Sequence, residues 1–397
     1  MKYFLFLLTC FLVPHLWGQA NENTNLPQKS NVPATNSNSN SNSIHLEEEE
    51  SEKMDYDLKS KKNNVKYKKV AAQQEPAAAK KDMQSVSTSF ITQKKKASTQ
   101  STQRSPTPVQ QSEMNEAVAY YAANASGSFE YHYFSYVAGN YDVSLFPHLQ
   151  KAQELRPTNS DVLIQLAAYH VILNQGSKAK EYLAQLAASG RIAPEVIAYD
   201  KDLLASVPDN GILVTHGFDD AYGALYLQLK EGYRKDVRVL SLDFMQSQAY
   251  RESLAKQGLA MPASKTVDVS FLKEFCRLNV KSNIHLSLTF PKPYFTAIAD
   301  KLQVLGLTFQ YDPQPASTFS QNEKLWKEIV KKQFAQDAVT EKAKQLSANY
   351  LPMLLYLREV YEGQKNTATV VELDKVIDRI AVQSNRYSKV ISLKKKN

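Results

Sequence analysis

The residues best suited to chemistry fall in one short stretch, Thr215-His216-Gly217-Phe218-Asp219-Asp220. An apolar run, Gly211-Ile-Leu-Val-Thr-His216, leads into it. A helical pattern follows, with Tyr222, Leu225, Tyr226 and Leu229 on one face. In an open α/β sheet, ligands sit outside the carboxyl ends of the strands, which is where this stretch would lie. Thr215, His216, Asp219 and Asp220 are therefore the candidate ligand-binding residues. Paired carboxylates beside a histidine could hold a divalent ion or serve as acid and base. The Asp pair also has a plainer use, because a carboxylate at a helix start caps it and suits its dipole. On that reading Asp219 is the cap and Asp220 is solvated. Gly217 stands alone, without the Gly-x-Gly-x-x-Gly of a phosphate loop, and no Gly-x-Ser-x-Gly elbow occurs. Asp243, at the end of the next strand, has the position of a ribose-binding carboxylate but lacks those glycines. No catalytic residue is assigned, no spacing suits a metal, and no cofactor is implied.

The elements that would position this stretch alternate. Strands are expected at Gly211–His216, Asp236–Leu242, Ile284–Phe290 and Leu307–Tyr311. Helices are expected at Asp219–Gly232, Met245–Leu254, Val269–Leu278 and Tyr294–Leu302. Strand–helix–strand alternation predicts a small Rossmann-like, mostly parallel sheet with right-handed crossovers. Cys276, between Phe275 and Leu278, reads as a buried core residue.

Before this α/β region the period is helical. Helices are expected at 128–138, Leu145–Leu155, 160–173 and Ala179–Ala188, punctuated by Gly139-Asn140, Pro157, Asn174-Gln175-Gly176 and Gly190. Leu163, Leu166, Ala167, Ala179 and Leu183 in the unit 160–193, with Ala152 and Pro157 before it, resemble a degenerate tetratricopeptide repeat. That resemblance implies paired helices offering a groove to a peptide. After the α/β region, Glu323–Phe334, Val339–Leu357 and Val370–Ile380 read as further helices of the same kind.

Residues 207–242 resemble a known family. They are similar to the soluble, exported C-terminal part of large Bacteroidetes membrane proteins that look like protein O-mannosyltransferases. The matching residues are Pro208-Asp209-Asn210-Gly211, Gly217-Phe218-Asp219-Asp220-Ala221-Tyr222 and Glu231-Gly232-Tyr233-Arg234-Lys235-Asp236-Val237-Arg238-Val239-Leu240-Ser241-Leu242. A second block, Ile284–Phe290 with Tyr294 and Leu302–Tyr311, is similar to the family's later strand–helix–strand. The family's spanning helices have no counterpart here, so an activity seated in them does not carry over. Phe218 and Ala221 replace polar residues of its acidic turn.

The N-terminal third differs in kind. Met1-Lys2, the apolar Phe4–Val13 and Gly18-Gln19-Ala20 form a signal-peptide pattern with cleavage after Ala20. Residues 21–112 contain no glycine, a Ser-Asn run at 37–43 and charge blocks at Glu47–Glu50 and Lys94–Lys96. Such a composition predicts a disordered low-complexity linker. The expected organisation is therefore a signal peptide (1–20), the linker (21–112), a TPR-like helical region (113–204), an α/β domain (205–315) and C-terminal helices (316–397). The net charge of +8 over 397 residues lies mostly in the tails, which argues against nucleic-acid binding. No apolar run reaches the ~18 residues of a membrane span.

The expected protein is an exported, non-catalytic interaction or scaffold module of the bacterial cell envelope. It would be periplasmic or extracellular, with a peripheral association to the envelope open to it, and with protein partners on its helical repeats. The alternative is a ligand-binding or enzymatic α/β domain acting on a glycan or nucleotide-sugar, or an auxiliary factor of surface glycosylation.

Overall fold

A computed structural model of the chain describes residues 82–313, 318–330 and 338–394. The expected signal peptide and the expected linker up to residue 81 lie outside these residues. The rest of that linker does not have the expected disorder. Helix α1 (Met83–Ser98) is capped by Asp82, whose carboxylate accepts the Ser85 amide at 2.7 Å. Val86, Phe90 and Ala97 on α1 are buried, and Phe90 stacks on Phe134 at 4.0 Å between centroids. Helix α2 (Pro108–Asn124) begins with a complete capping box: Thr107 accepts the Gln110 amide, and the Gln110 side chain accepts the Thr107 amide. Pro at its first position fits, because that residue's missing N–H would have had no partner in the helix. A polar composition hid an apolar stripe of only three residues, and three such side chains are enough when other helices cover them.

The helices expected next are present as α3 (Phe129–Ala138), α4 (Phe146–Leu155), α5 (Ser160–Ile172) and α6 (Gly176–Ala188). Helices α5 and α6 form the expected helix–turn–helix, with Ala167, Ala179 and Leu183 fully buried where the two approach. Helix α7 (Pro194–Ala205) was not expected; it leads directly into the sheet.

The sheet comprises β1 (Ile212–Thr215), β2 (Arg238–Ser241), β3 (Ile284–Ser287), β4 (Leu302–Leu305) and β5 (Thr308–Tyr311), in the order β2-β1-β3-β5-β4. Helices α8 (Phe218–Leu229), α9 (Gln248–Lys256), α10 (Val269–Leu278) and the short α11 (Lys292–Thr296) lie between its strands in the chain. Strands β1, β2 and β3 pair in parallel, as the alternation predicts. The far edge differs. Where a helix through Leu302 was expected, α11 ends at Thr296, and β4 and β5 form an antiparallel hairpin whose second strand pairs antiparallel with β3. Its turn depends on Gly306, which has φ +58° and would place a Cβ 2.2 Å from Ser206 Oγ. That hydroxyl accepts the Leu307 amide at 3.0 Å, while Asn322 accepts the Gly306 amide and donates to the Val304 carbonyl. Asn322 belongs to α12 (Phe319–Val330), so the turn is tied to the C-terminal helices.

Those helices continue as α13 (Glu341–Ser347), α14 (Leu351–Gly363), α15 (Thr367–Gln383) and α16 (Tyr387–Lys394). They dock on α7 through buried polar contacts. Tyr350 donates to Asp202 at 2.8 Å, and Asn349 donates to the Tyr199 hydroxyl at 3.0 Å. The hairpins and the sheet therefore share one hydrophobic core instead of folding around separate ones. A chain beginning at residue 113 loses the packing of Val86 and Phe90. Its thermal midpoint should lie roughly 10 °C or more below that of a chain beginning at residue 82, since losing two core side chains costs several kcal/mol. Equal midpoints in calorimetry would show that α1 contributes nothing.

Candidate functional site

The parallel part of the sheet reverses strand order at β1, with β2 on one side and β3 on the other. The crevice outside the carboxyl ends of β1 and β3 is the ligand position of an open α/β fold. The four predicted residues all reach this end but do not converge on one point. Thr215 is buried and donates across the strands to the Leu240 carbonyl at 3.1 Å. The His216 ring lies among aromatics, 5.0 Å from Phe290 and 5.6 Å from Tyr294 between centroids. Asp219 forms an ion pair with Lys342 of α13 at 2.7 Å. Asp220 is fully buried, accepts the His216 amide at 2.7 Å and also accepts the Thr289 hydroxyl from the loop after β3.

Neither aspartate therefore has its expected role. Gly217 occupies the cap position of α8 and offers no side chain to its amides. Asp219 points to another helix instead. Asp220, expected in solvent, reaches back from the first turn to the amide just before the cap, and so joins the β1 turn, α8 and the β3 loop. Burial raises its pKa to about 6, while the Thr289 hydroxyl, the His216 amide and the Ser287 hydroxyl pull the other way.

Sequence reasoning missed a second buried acid. Asp200 of α7 packs onto α8 where Gly223 leaves room; a Cβ there would stand 2.0 Å from Asp200 Oδ2. Burial first, then the charges of Asp220 and Asp219, push its pKa well up and favour the neutral acid. The signal was present, because Asp200 falls in the apolar stripe of Val196, Tyr199 and Leu203.

Asp243, just beyond β2, is also engaged. Arg104 forms a fork on its carboxylate, with Nη2 at 3.1 Å from Oδ2 and Nε on Oδ1. Arg104 lies in the segment read as linker, so this pair was invisible beforehand. Cys276 is buried as expected, and burial raises its thiol pKa, which keeps it unreactive. Among the described residues, no group of three or more His, Cys, Asp or Glu is arranged to hold a metal ion.

Residues 196–395 match the family model described as TMEM260-associated domain 2. The match begins in α7 and includes the whole sheet and the C-terminal helices. The sheet and its flanking helices define the chain's class, a Rossmann-like α/β core joined to helices. The chain belongs to the TMEM260-associated domain 2 family. This family is linked to TMEM260, itself likened to protein O-mannosyltransferases, which agrees with the resemblance drawn from residues 207–242. No curated protein and no solved structure matches the chain. Among the described residues, no helix is long and apolar enough to cross a membrane.

The Asp220 geometry gives a signed pH prediction. A carboxyl whose folded pKa lies above its unfolded value of 3.8 takes up its proton earlier in the folded state. Its contribution is most favourable below about pH 4 and is lost as pH rises through 6. Asp220→Asn keeps an acceptor for His216 and Thr289, so its stability at pH 7 should stay within about 1 kcal/mol of the parent, and this pH component should vanish. Asp220→Ala leaves a buried amide and hydroxyl unpaired and should cost about 2–3 kcal/mol. Urea denaturation of the three proteins between pH 4 and 7 decides it; identical pH dependence in parent and Asp220→Asn would refute the assignment.

Proposed function

We propose that the protein is a non-catalytic interaction module that works after export at the bacterial cell envelope, and that its partners dock on the helical hairpins. One observation carries this reading: a ladder of aromatic rings spans three consecutive helices. Phe146 of α4 stacks on Tyr169 of α5 at 3.9 Å, Tyr169 meets His170 edge-on at 5.2 Å, and His170 stacks on Tyr182 of α6 at 5.5 Å. Phe146, Tyr169 and Tyr182 remain partly exposed. Rigid aromatic rings give a partner large contact area at little entropic cost, which is why they anchor interfaces. The commitment of Asp220 and Asp219 to contacts within the fold supports the same reading. The family's link to TMEM260 supports a narrower form, an auxiliary factor of surface glycosylation.

A photo-reactive phenylalanine at Tyr182, irradiated in native envelope preparations, should yield discrete protein adducts, whereas one at exposed Ser388 of α16 should yield none. No adduct at Tyr182, or the same adducts at both positions, would contradict the proposal.

A further inference from the structure

Two histidine rings from different helices face each other ahead of the sheet. His132 of α3 and His148 of α4 bring their Nδ1 atoms to 3.1 Å, with ring centroids 5.2 Å apart. The two helices pack together and are joined by the short turn 139–145. Buried neighbours fix where the rings stand: Phe134 and Tyr136 on α3, and Leu149 on α4. The Tyr131 ring lies edge-on to both imidazoles, at 5.1 and 5.3 Å between centroids, and forms one wall. Both histidines are half-buried, so an ion from solvent can reach them. Among the described residues, each ring has the other as its hydrogen-bond partner and no further one.

The simplest use of such a pair is one N–H···N hydrogen bond between neutral rings in opposite tautomers. The spacing suits a second use. Two nitrogens 3.1 Å apart, each ~2.0–2.1 Å from one zinc ion, subtend an angle of roughly 98° at the metal, between the octahedral and tetrahedral values. Replacing the bridging proton by an ion needs two small changes. The donating ring moves its proton to Nε2 through solvent, which frees its Nδ1 lone pair. Both rings then turn slightly about Cβ–Cγ, so that the two lone pairs meet at one point. The pair neither gains nor loses a proton. Charge does not oppose the ion, because Lys151, one turn after His148 on α4, is paired with Glu154 at 2.7 Å.

We infer that His132 and His148 form a two-histidine site for a divalent transition-metal ion, with Zn²⁺ as the type case, which clips α3 to α4. Imidazole suits Zn²⁺, Ni²⁺ and Cu²⁺, whereas Mg²⁺ and Ca²⁺ take oxygen ligands. The chain supplies two ligands, so the remaining coordination positions fall to water or to a side chain of a docked partner. Sixteen positions and a turn separate the two histidines, a spacing that carries no metal signature in the sequence. Both precede the family-matched residues 196–395, so the site belongs to the N-terminal helices. It does not rest on the reading of the aromatic ladder as a docking surface.

Calorimetric titration of the untagged full chain with Zn²⁺, and with Mg²⁺ as the control, tests it. Zn²⁺ should bind saturably with a dissociation constant below about 100 µM, and Mg²⁺ should not bind. At 100 times that constant, Zn²⁺ should raise the thermal midpoint by roughly 4 °C. His132→Gln and His148→Gln keep a hydrogen-bonding side chain on each helix. Each should weaken Zn²⁺ binding at least about 10-fold, since even outer-shell partners of a metal are worth that much, and each should abolish the rise in midpoint. Cu²⁺ gives a readout independent of stability. Electron paramagnetic resonance should show hyperfine coupling to two imidazole nitrogens in the parent and to one in either variant. No saturable Zn²⁺ binding up to about 1 mM, Zn²⁺ affinity unchanged in both variants, or a Cu²⁺ spectrum unaltered by both substitutions would overturn the proposal and leave the pair as a hydrogen bond between helices.

Discussion

The fork between Arg104 and Asp243 is the contact on which the arrangement of the N-terminal helices depends. Both groups are largely removed from water, and 139 residues of chain separate them. Desolvating two such charges is costly, and only paired hydrogen bonds of good geometry offset the penalty. The fork supplies those bonds, and the Ser98 carbonyl takes a further donor of the guanidinium. Without it the strap of residues 99–107, between α1 and α2, would keep only its bonds to the loop before α10, made by the Arg104, Val269 and Val267 amides. Burial of Phe90 and Val86 holds α1 to the same core, so the apolar contact and the fork fix one path for the chain.

Buried polar joints recur wherever elements distant in sequence must meet. Asp220 links the β1 turn to the β3 loop through the His216 amide and the Thr289 hydroxyl. Asn322 and Ser206 close the β4–β5 turn from two different helices. Tyr350 and Asn349 fasten the C-terminal helices to α7. Such contacts add little net energy when made, but each is expensive to break because its partner is then stranded without water. They specify which helix packs where, while the apolar core supplies the bulk of the stability.

How far the sequence disclosed this depends on how local each determinant is. The parallel strands β1–β3 and helices α3–α6 and α8 were legible, because their periodicity and stop residues lie within each element. The β4–β5 hairpin was not, since Gly306 gives a weak turn signal without Ser206 and Asn322, which arrive from elsewhere. Helix α2 carried a readable mark in Thr107-Pro108-Val109-Gln110, a capping box with proline at the first position, but the polar composition around it dominated the reading. The four candidate residues lie at the sheet's carboxyl end, whereas the contacts that engage Asp219 and Asp220 were not visible. They depend on Lys342 and Thr289, 123 and 69 residues away. Arg104 could not be paired with Asp243 while its segment read as unstructured.

The central claim, that the strap is part of the fold because Arg104 is locked to Asp243, is open to a double-mutant cycle. Arg104→Met, Asp243→Asn and the double variant should be compared with the parent by denaturant unfolding at low and moderate salt. A desolvated, forked pair predicts that each single change costs about 3–5 kcal/mol, that the double variant costs far less than their sum, and that salt barely alters the coupling. Additive effects within about 0.5 kcal/mol would contradict the account, since they would mean that the two groups do not depend on one another.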